Sequence, residues 1–295
     1  MKQDVYQTIT NQILDTMEQG TGPWEMPWYQ ANAMPLNVES GKPYRGVNIL
    51  SLWCASLKKG YSIGYWGTFN QWKTKDASVR KGEKASPVVL YKPIERKETN
   101  PKTGEQEMAA TFIARLYWVF NADQVDGWKA PALQCTGTTK TIQNAERFFA
   151  NTKARLVHNG ERAFYSPLQN QITMPEKSCF IDTTHSTATE NYYSTLFHEL
   201  VHWTEHDDRL NRNLTTRFAK DSRAMEELIA ELGAAFLCAQ LGVSPAPRED
   251  HSAYLTNWLQ ALKNDKRAIF TASSKASKAV EFLNGLQPEN QQEAV

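Results

Sequence analysis

The stretch "LFHELVHWTEH", residues 196–206, sets histidines at positions 198, 202 and 206 and places a glutamate directly after the first. Residues four apart stack on one face of a helix. His-Glu-x-x-His therefore offers two imidazoles to a single zinc ion, and lets the intervening glutamate reach a metal-bound water as general base. Leu196, Phe197, Leu200 and Val201 supply a core-facing stripe, which leaves His198, Glu199 and His202 on another face. That division suits a helix at the floor of a cleft.

Two histidines leave a tetrahedral site one protein ligand short. His206 continues the series, but eight residues at 1.5 Å each put it about 12 Å from His198 along the helix axis, too far for one ion unless the helix breaks after His202. Asp208 would suit a pattern with glycine at 205, where this chain has Glu205. The helix predicted over 222–241, "SRAMEELIAELGAAFLCAQL", is the better source. Met225, Leu228, Ile229, Leu232 and Phe236 form its apolar stripe. Glu227, Ala230, Glu231, Ala234 and Cys238 form a second face of small residues carrying two carboxylates. Small residues let another helix approach closely, and two glutamates there are costly to bury without a cation. Glu227 is the expected third ligand. Glu231, one turn on, is expected to accept the outer N–H of a ligating histidine. Glu226, nearly a right angle from the apolar stripe, is expected to be solvated. His158, His185 and His251 receive no functional role.

Outward from this helix the chain predicts an α+β protein of two domains, 1–130 and 141–295, joined by a linker over 131–140. Its 295 residues exceed a typical single domain. Helices are expected over 5–17, 48–60, 141–154, 253–265 and 275–286. Strands are expected over 86–96 and 109–125 with an exposed loop at 97–108 between them, and shorter strands over 155–160, 163–167 and 171–175. Basic and acidic residues number 33 and 32, so net charge makes no case for an electrostatic partner. Four scattered cysteines form no C-x-x-C pair, which argues against a disulfide framework or zinc ribbon. No run has the length or apolarity of a signal peptide core or a membrane span, so a soluble cytoplasmic protein without a membrane partner is expected.

Charge is uneven along the chain. Residues 1–130 carry 16 basic and 13 acidic residues. Lys58, Lys59, Lys73, Lys75, Arg80, Lys81 and Lys84 face only Asp76 and Glu83 in their segment. Trp53, Tyr61, Tyr65, Trp66, Phe69 and Trp72 interleave with them. Bases of single-stranded nucleic acid stack on such rings while the cations meet phosphates. The competing reading is that the rings are core.

With these residues in hand, the second half resembles zincin metallopeptidases of the glutamate-ligand type. The resemblance implies metal binding by His198, His202 and Glu227, a general base in Glu199, and an edge strand for peptide in "AFYSPLQNQITMP". It leaves Tyr165, Tyr192 and Tyr193 as candidates for an oxyanion helper. The expected cofactor is one divalent ion, zinc ahead of manganese. The segments "ILDTMEQGTGPWEMPW", "YRGVNILSLW", "GYWGTFNQWK" and "VRKGEKASPVVLYKP" resemble the N-terminal domain of ArdC-type antirestriction proteins, which also opens some plasmid primases. That resemblance implies a single-stranded-DNA-binding domain joined to a metalloprotease-like domain, carried by conjugative plasmids and shielding incoming DNA from host restriction. A host protein substrate and a purely structural metal both remain open at this stage.

Overall fold

The computed structural model describes residues 4–19, 33–99, 106–131, 138–214, 222–244 and 251–288. The centre of the linker expected over 131–140, Cys135, the tip of the loop at 100–105 and the polar tail from 289 lie outside the described residues. So does the end of the polar stretch that follows the histidine helix.

Helix α1, Val5–Gln19, buries Ile9, Ile13 and Met17 along one stripe. Helix α2, Val47–Lys59, ends at Gly60, whose left-handed backbone (φ 68°) closes it without the penalty a Cβ would bring. A four-stranded sheet has the order β1 (Leu36–Asn37), β2 (Tyr65–Gly67), β5 (Gln106–Asn121), β4 (Ser86–Thr99). Strands β4 and β5 form a long antiparallel ribbon with Pro87 opposite Trp118 and Thr99 opposite Gln106. The connecting loop is thus shorter than the 97–108 expected, because pairing continues along both strands. Helix α2 covers part of the free edge of β4. The Asn48 amide accepts from the Val89 N–H and donates to the Val89 carbonyl, and Ser51 donates to the Pro87 carbonyl. These bonds satisfy backbone groups that an open edge would expose.

Strand β5 stops at Asn121 rather than running to 125. There the Asn121 and Gln124 side chains cap a single 3-10 turn reciprocally, and β6 (Val125–Asp126) leaves to pair with β3 (Ser78–Val79). Helix α3, Phe69–Lys73, which the sequence reading did not assign, begins at Thr68 with the same reciprocal capping to Gln71. The two sheet faces then receive different covers. Trp66 lies with Leu52, Ala55, Val88 and Val119, and Trp72 lies with Val38, Ala77, Ala122 and Val125.

In the second half, α4 (Thr138–Thr152) precedes a three-stranded sheet of order β7 (Arg155–His158), β9 (Gln171–Met174), β8 (Phe164–Ser166). Strand β8 pairs antiparallel to β9 and forms the edge, as the edge-strand expectation requires. Helix α5, Ala188–Trp203, packs beneath it. Helices α6 (Ser222–Leu241), α7 (His251–Asn264) and α8 (Ala268–Gly285) complete the half, with α8 starting seven residues before the predicted 275. One apolar core runs through both halves. Trp53 of α2 meets Phe236 of α6 at 5.6 Å, and Tyr6 of α1 meets Phe270 of α8 at 4.8 Å.

Candidate functional site

Two helices build the site. Helix α5 starts at Thr187, whose hydroxyl accepts from the Glu190 N–H while the Glu190 carboxylate reaches back to the Thr187 N–H. Its apolar residues Leu196, Phe197, Leu200 and Val201 are fully buried, which turns His198 and His202 toward α6. The helices approach closely at Gly233 of α6, where an added Cβ would stand 2.7 Å from a Val201 methyl. Gly233 lies outside the small-residue face read from the sequence; of that face, Glu227 and Glu231 meet α5 at His198.

Nε2 of His198 and Nε2 of His202 lie 3.1 Å apart, and Glu227 Oε2 lies 3.3 Å from the first and 3.6 Å from the second. A tetrahedral ion with bonds near 2.1 Å sets its ligands about 3.4 Å apart. The three atoms therefore match one face of such a coordination sphere, and these residues could hold a divalent ion with the fourth position open. On the far side of the rings, Nδ1 of His198 lies 3.3 Å from Glu231, and Nδ1 of His202 lies 3.3 Å from Glu226. Glu199 is buried beside them and favours a positive charge on His202.

Burial works against charge on both His202 and Glu227, and the carboxylate–imidazole contacts reverse it. Glu226, Glu227 and Glu199 push His202 up to about 10 against its desolvation. Likewise His198 and His202 hold Glu227 far below the ordinary carboxylate range despite burial. The alternative ligands are elsewhere. His206 and Asp208 pair with each other past the end of α5, at 3.5 Å.

Glu226 corrects the sequence reading. It is not solvated: its side chain is 14% exposed and is gripped by Arg212 as well as by His202. Arg212 had no signal in the sequence, since it reaches the site only through the fold. Of the oxyanion candidates, Tyr192 is bonded to His158 and Tyr193 to Lys177. Tyr165 on β8 bonds to Arg209 and Asn170 and lies within electrostatic reach of Glu205. His158 thus has a structural role and His185 is exposed, whereas the side chain of His251 lies outside the described residues.

The basic–aromatic reading of the first half divides. Trp66 and Trp72 are 1% and 0% exposed, and the Trp72 indole donates to the Phe120 carbonyl. Burial removes both as stacking surfaces, so the core reading holds for them. Tyr65 is half-buried with its ring 5.2 Å from Trp128. Lys58, Lys73, Lys75, Lys81 and Lys84 are exposed, with no carboxylate partner among the described residues. Lys59 donates to the Lys84 carbonyl, and Arg80 is engaged by Glu83 and Asp126. Among the described residues, the exposed rings of this half are Phe69, Tyr91, Phe112 and Trp118, of which the sequence reading singled out Phe69 alone.

Fold and site together define a zincin-like metallopeptidase domain following a second α+β unit. Residues 143–275 match the family described as zincin-like metallopeptidase, and residues 3–120 match the N-terminal domain of anti-restriction factor ArdC. The chain belongs to the ArdC-type antirestriction family. It is 41% identical over 99% of its length to the uncharacterized protein y4eC of Sinorhizobium fredii (strain NBRC 101917 / NGR234), 95% of which is covered. It is 32% identical to a DNA primase TraC of Escherichia coli, of which it spans 28%. Crystal structures of the antirestriction ArdC protein from plasmid R388 superpose with TM-scores of 0.77 (metal-free, 39% identical) and 0.74 (Mn(II)-bound, 38% identical). Each comparison covers 96% of this chain and 98% of that one. Among the described residues, no helix is long and apolar enough to cross a membrane.

Proposed function

We propose that the protein is a plasmid antirestriction factor that binds single-stranded DNA through a domain at about 1–130 and holds one divalent ion in a protease-like domain at about 141–295. His198, His202 and Glu227 are the metal ligands, and Glu199 is the general base. The convergence of the two Nε2 atoms on Glu227 Oε2 carries the metal reading. Two imidazoles and one carboxylate suit zinc. Manganese is the runner-up, and it occupies the R388 relative. Such an ion supplies Lewis acidity and a nucleophilic water at neutral pH. This chain's residues contribute the rest: Glu231 and Glu226 fix the imidazoles with Nε2 inward, Glu199 stands ready to take a proton, and the free edge of β8 can accept an extended peptide.

For DNA, the exposed lysines support phosphate contacts, and the exposed rings of Trp118, Tyr91 and Phe69 replace the buried tryptophans as stacking surfaces. Metal content on wild type, His202→Ala and Glu227→Ala is the decisive measurement. One ion per chain, lost in both variants, is expected; retention in Glu227→Ala would refute the ligand set. Glu199→Ala separates hydrolysis from a shield that cleaves nothing: restriction protection lost with metal retained supports hydrolysis. DNA affinity is expected to fall steeply with salt and to favour single strands. Equal, salt-insensitive binding to both forms would refute the interface.

A further inference from the structure

A second group of potential ligands adjoins the first. His202, Glu205 and Glu226 bring a nitrogen and two carboxylate oxygens within 4.8 Å of one another. Taken alone, this looks like a place for a second ion. However, His202 meets it with Nδ1, the nitrogen facing away from Glu227, and Glu226 already holds a cation. Arg212 donates from Nε to one Glu226 oxygen at 3.1 Å and from Nη2 to the other.

The guanidinium does more than neutralise. Nη2 also donates to the Val201 carbonyl at 2.9 Å, and Nη1 donates to the Thr204 hydroxyl at 2.6 Å. Val201 stands in the last turn of α5, where its carbonyl also accepts from the Thr204 N–H and hydroxyl and where a positive charge complements the helix dipole. The Arg212 side chain is 3% exposed, and four of its five N–H groups are matched here. Buried charges persist only when paired in this way. The same guanidinium therefore links the end of the metal-site helix to the α6 carboxylate that faces His202.

We propose that Arg212 and Glu226 are positioning residues that lock the ring of His202. The inference rests on the metal reading above. It assigns Glu226 the part for His202 that Glu231 plays for His198, and makes Arg212 the anchor that keeps Glu226 aimed at Nδ1.

The test is a competition titration of zinc into full-length wild type, Glu226→Ala, Glu226→Gln and Arg212→Ala, with cobalt(II) absorption spectra and unfolding temperatures of the metal-free proteins. Wild type is expected to take one equivalent. Loss of the acceptor in Glu226→Ala should weaken zinc binding by about 10–100-fold and alter the cobalt spectrum. Glu226→Gln keeps an oxygen facing Nδ1 and should recover part of the affinity, which a merely structural loss would not. Arg212→Ala should weaken binding in the same direction. Wild-type affinity and spectrum in folded Glu226→Ala and Arg212→Ala would overturn the positioning role, and a destabilised Glu226→Ala leaves Glu226→Gln and Arg212→Ala to decide. Absence of metal from wild type would instead refute the metal reading itself.

Discussion

Replacing Gly233 by alanine should open the metal centre while changing stability little. A Cβ at Gly233 would stand 2.7 and 2.9 Å from the two methyls of Val201 and 3.4 Å from its Cβ. Carbon atoms normally meet at about 3.5–4.0 Å, so the nearest contact is about 1 Å short. Val201 cannot swing aside, because a β-branched residue in a helix has essentially one rotamer and this one is fully buried. The helices must part. Alanine improves α6 by about 1 kcal/mol of helix propensity, whereas overpacking costs about 1–3 kcal/mol, so the net loss is about 0–2 kcal/mol. The metal centre has less tolerance. Val201 directly precedes His202, and metal–ligand bonds hold to about 0.2 Å, so a shift of several tenths of an ångström between α5 and α6 should weaken metal binding by at least tenfold. The assay is a zinc competition titration beside urea unfolding of the metal-free protein. Val201→Ala removes both methyls, so the double variant should regain most of the lost affinity. Wild-type affinity in Gly233→Ala, or no recovery in the double variant, would refute the reasoning.

Trp72→Phe should lower stability by about 1 kcal/mol through loss of its indole bond to Phe120, and leave DNA affinity unchanged; weaker DNA binding by a fully folded variant would return Trp72 to the interface. Glu190 is held below its ordinary value because bonds from Thr187 and Ser244 outweigh its desolvation. A depressed acid contributes stability above its unfolded pKa and loses it as pH falls through the folded value. Glu190→Gln should therefore cost stability at pH 7 and converge with wild type in strong acid, as read by denaturation at several pH values. Zinc at 100 times its Kd should stabilise the protein by about 2.7 kcal/mol, with chelation reversing the gain; no shift in unfolding would argue against binding to the native state. Replacing Lys73 and Lys75 by glutamate should weaken single-stranded DNA binding and flatten its salt dependence, measured by fluorescence anisotropy.

Much of this was legible in the sequence because it depends on spacing along one element. The period of 3.6 residues fixed which side of α5 carries His198 and His202, and which side of α6 carries Glu227 and Glu231. Capping pairs at Thr68 and Thr187 were equally local, though only the fold revealed their use. Side chains decided by what packs against them were not legible. Glu226 looked solvent-facing on an isolated helix, but Arg212 arrives from the turn after α5 and buries it. Trp66 and Trp72 sit among lysines in the chain, yet Trp66 of β2 packs against Leu52 and Ala55 of α2, and Trp72 of α3 packs in a separate cluster with Val38, Ala77, Ala122 and Val125. Spacing decides which face a residue occupies. Only the tertiary structure decides whether that face meets water, a core or a countercharge, because burial and charge pairing depend on neighbours distant in sequence.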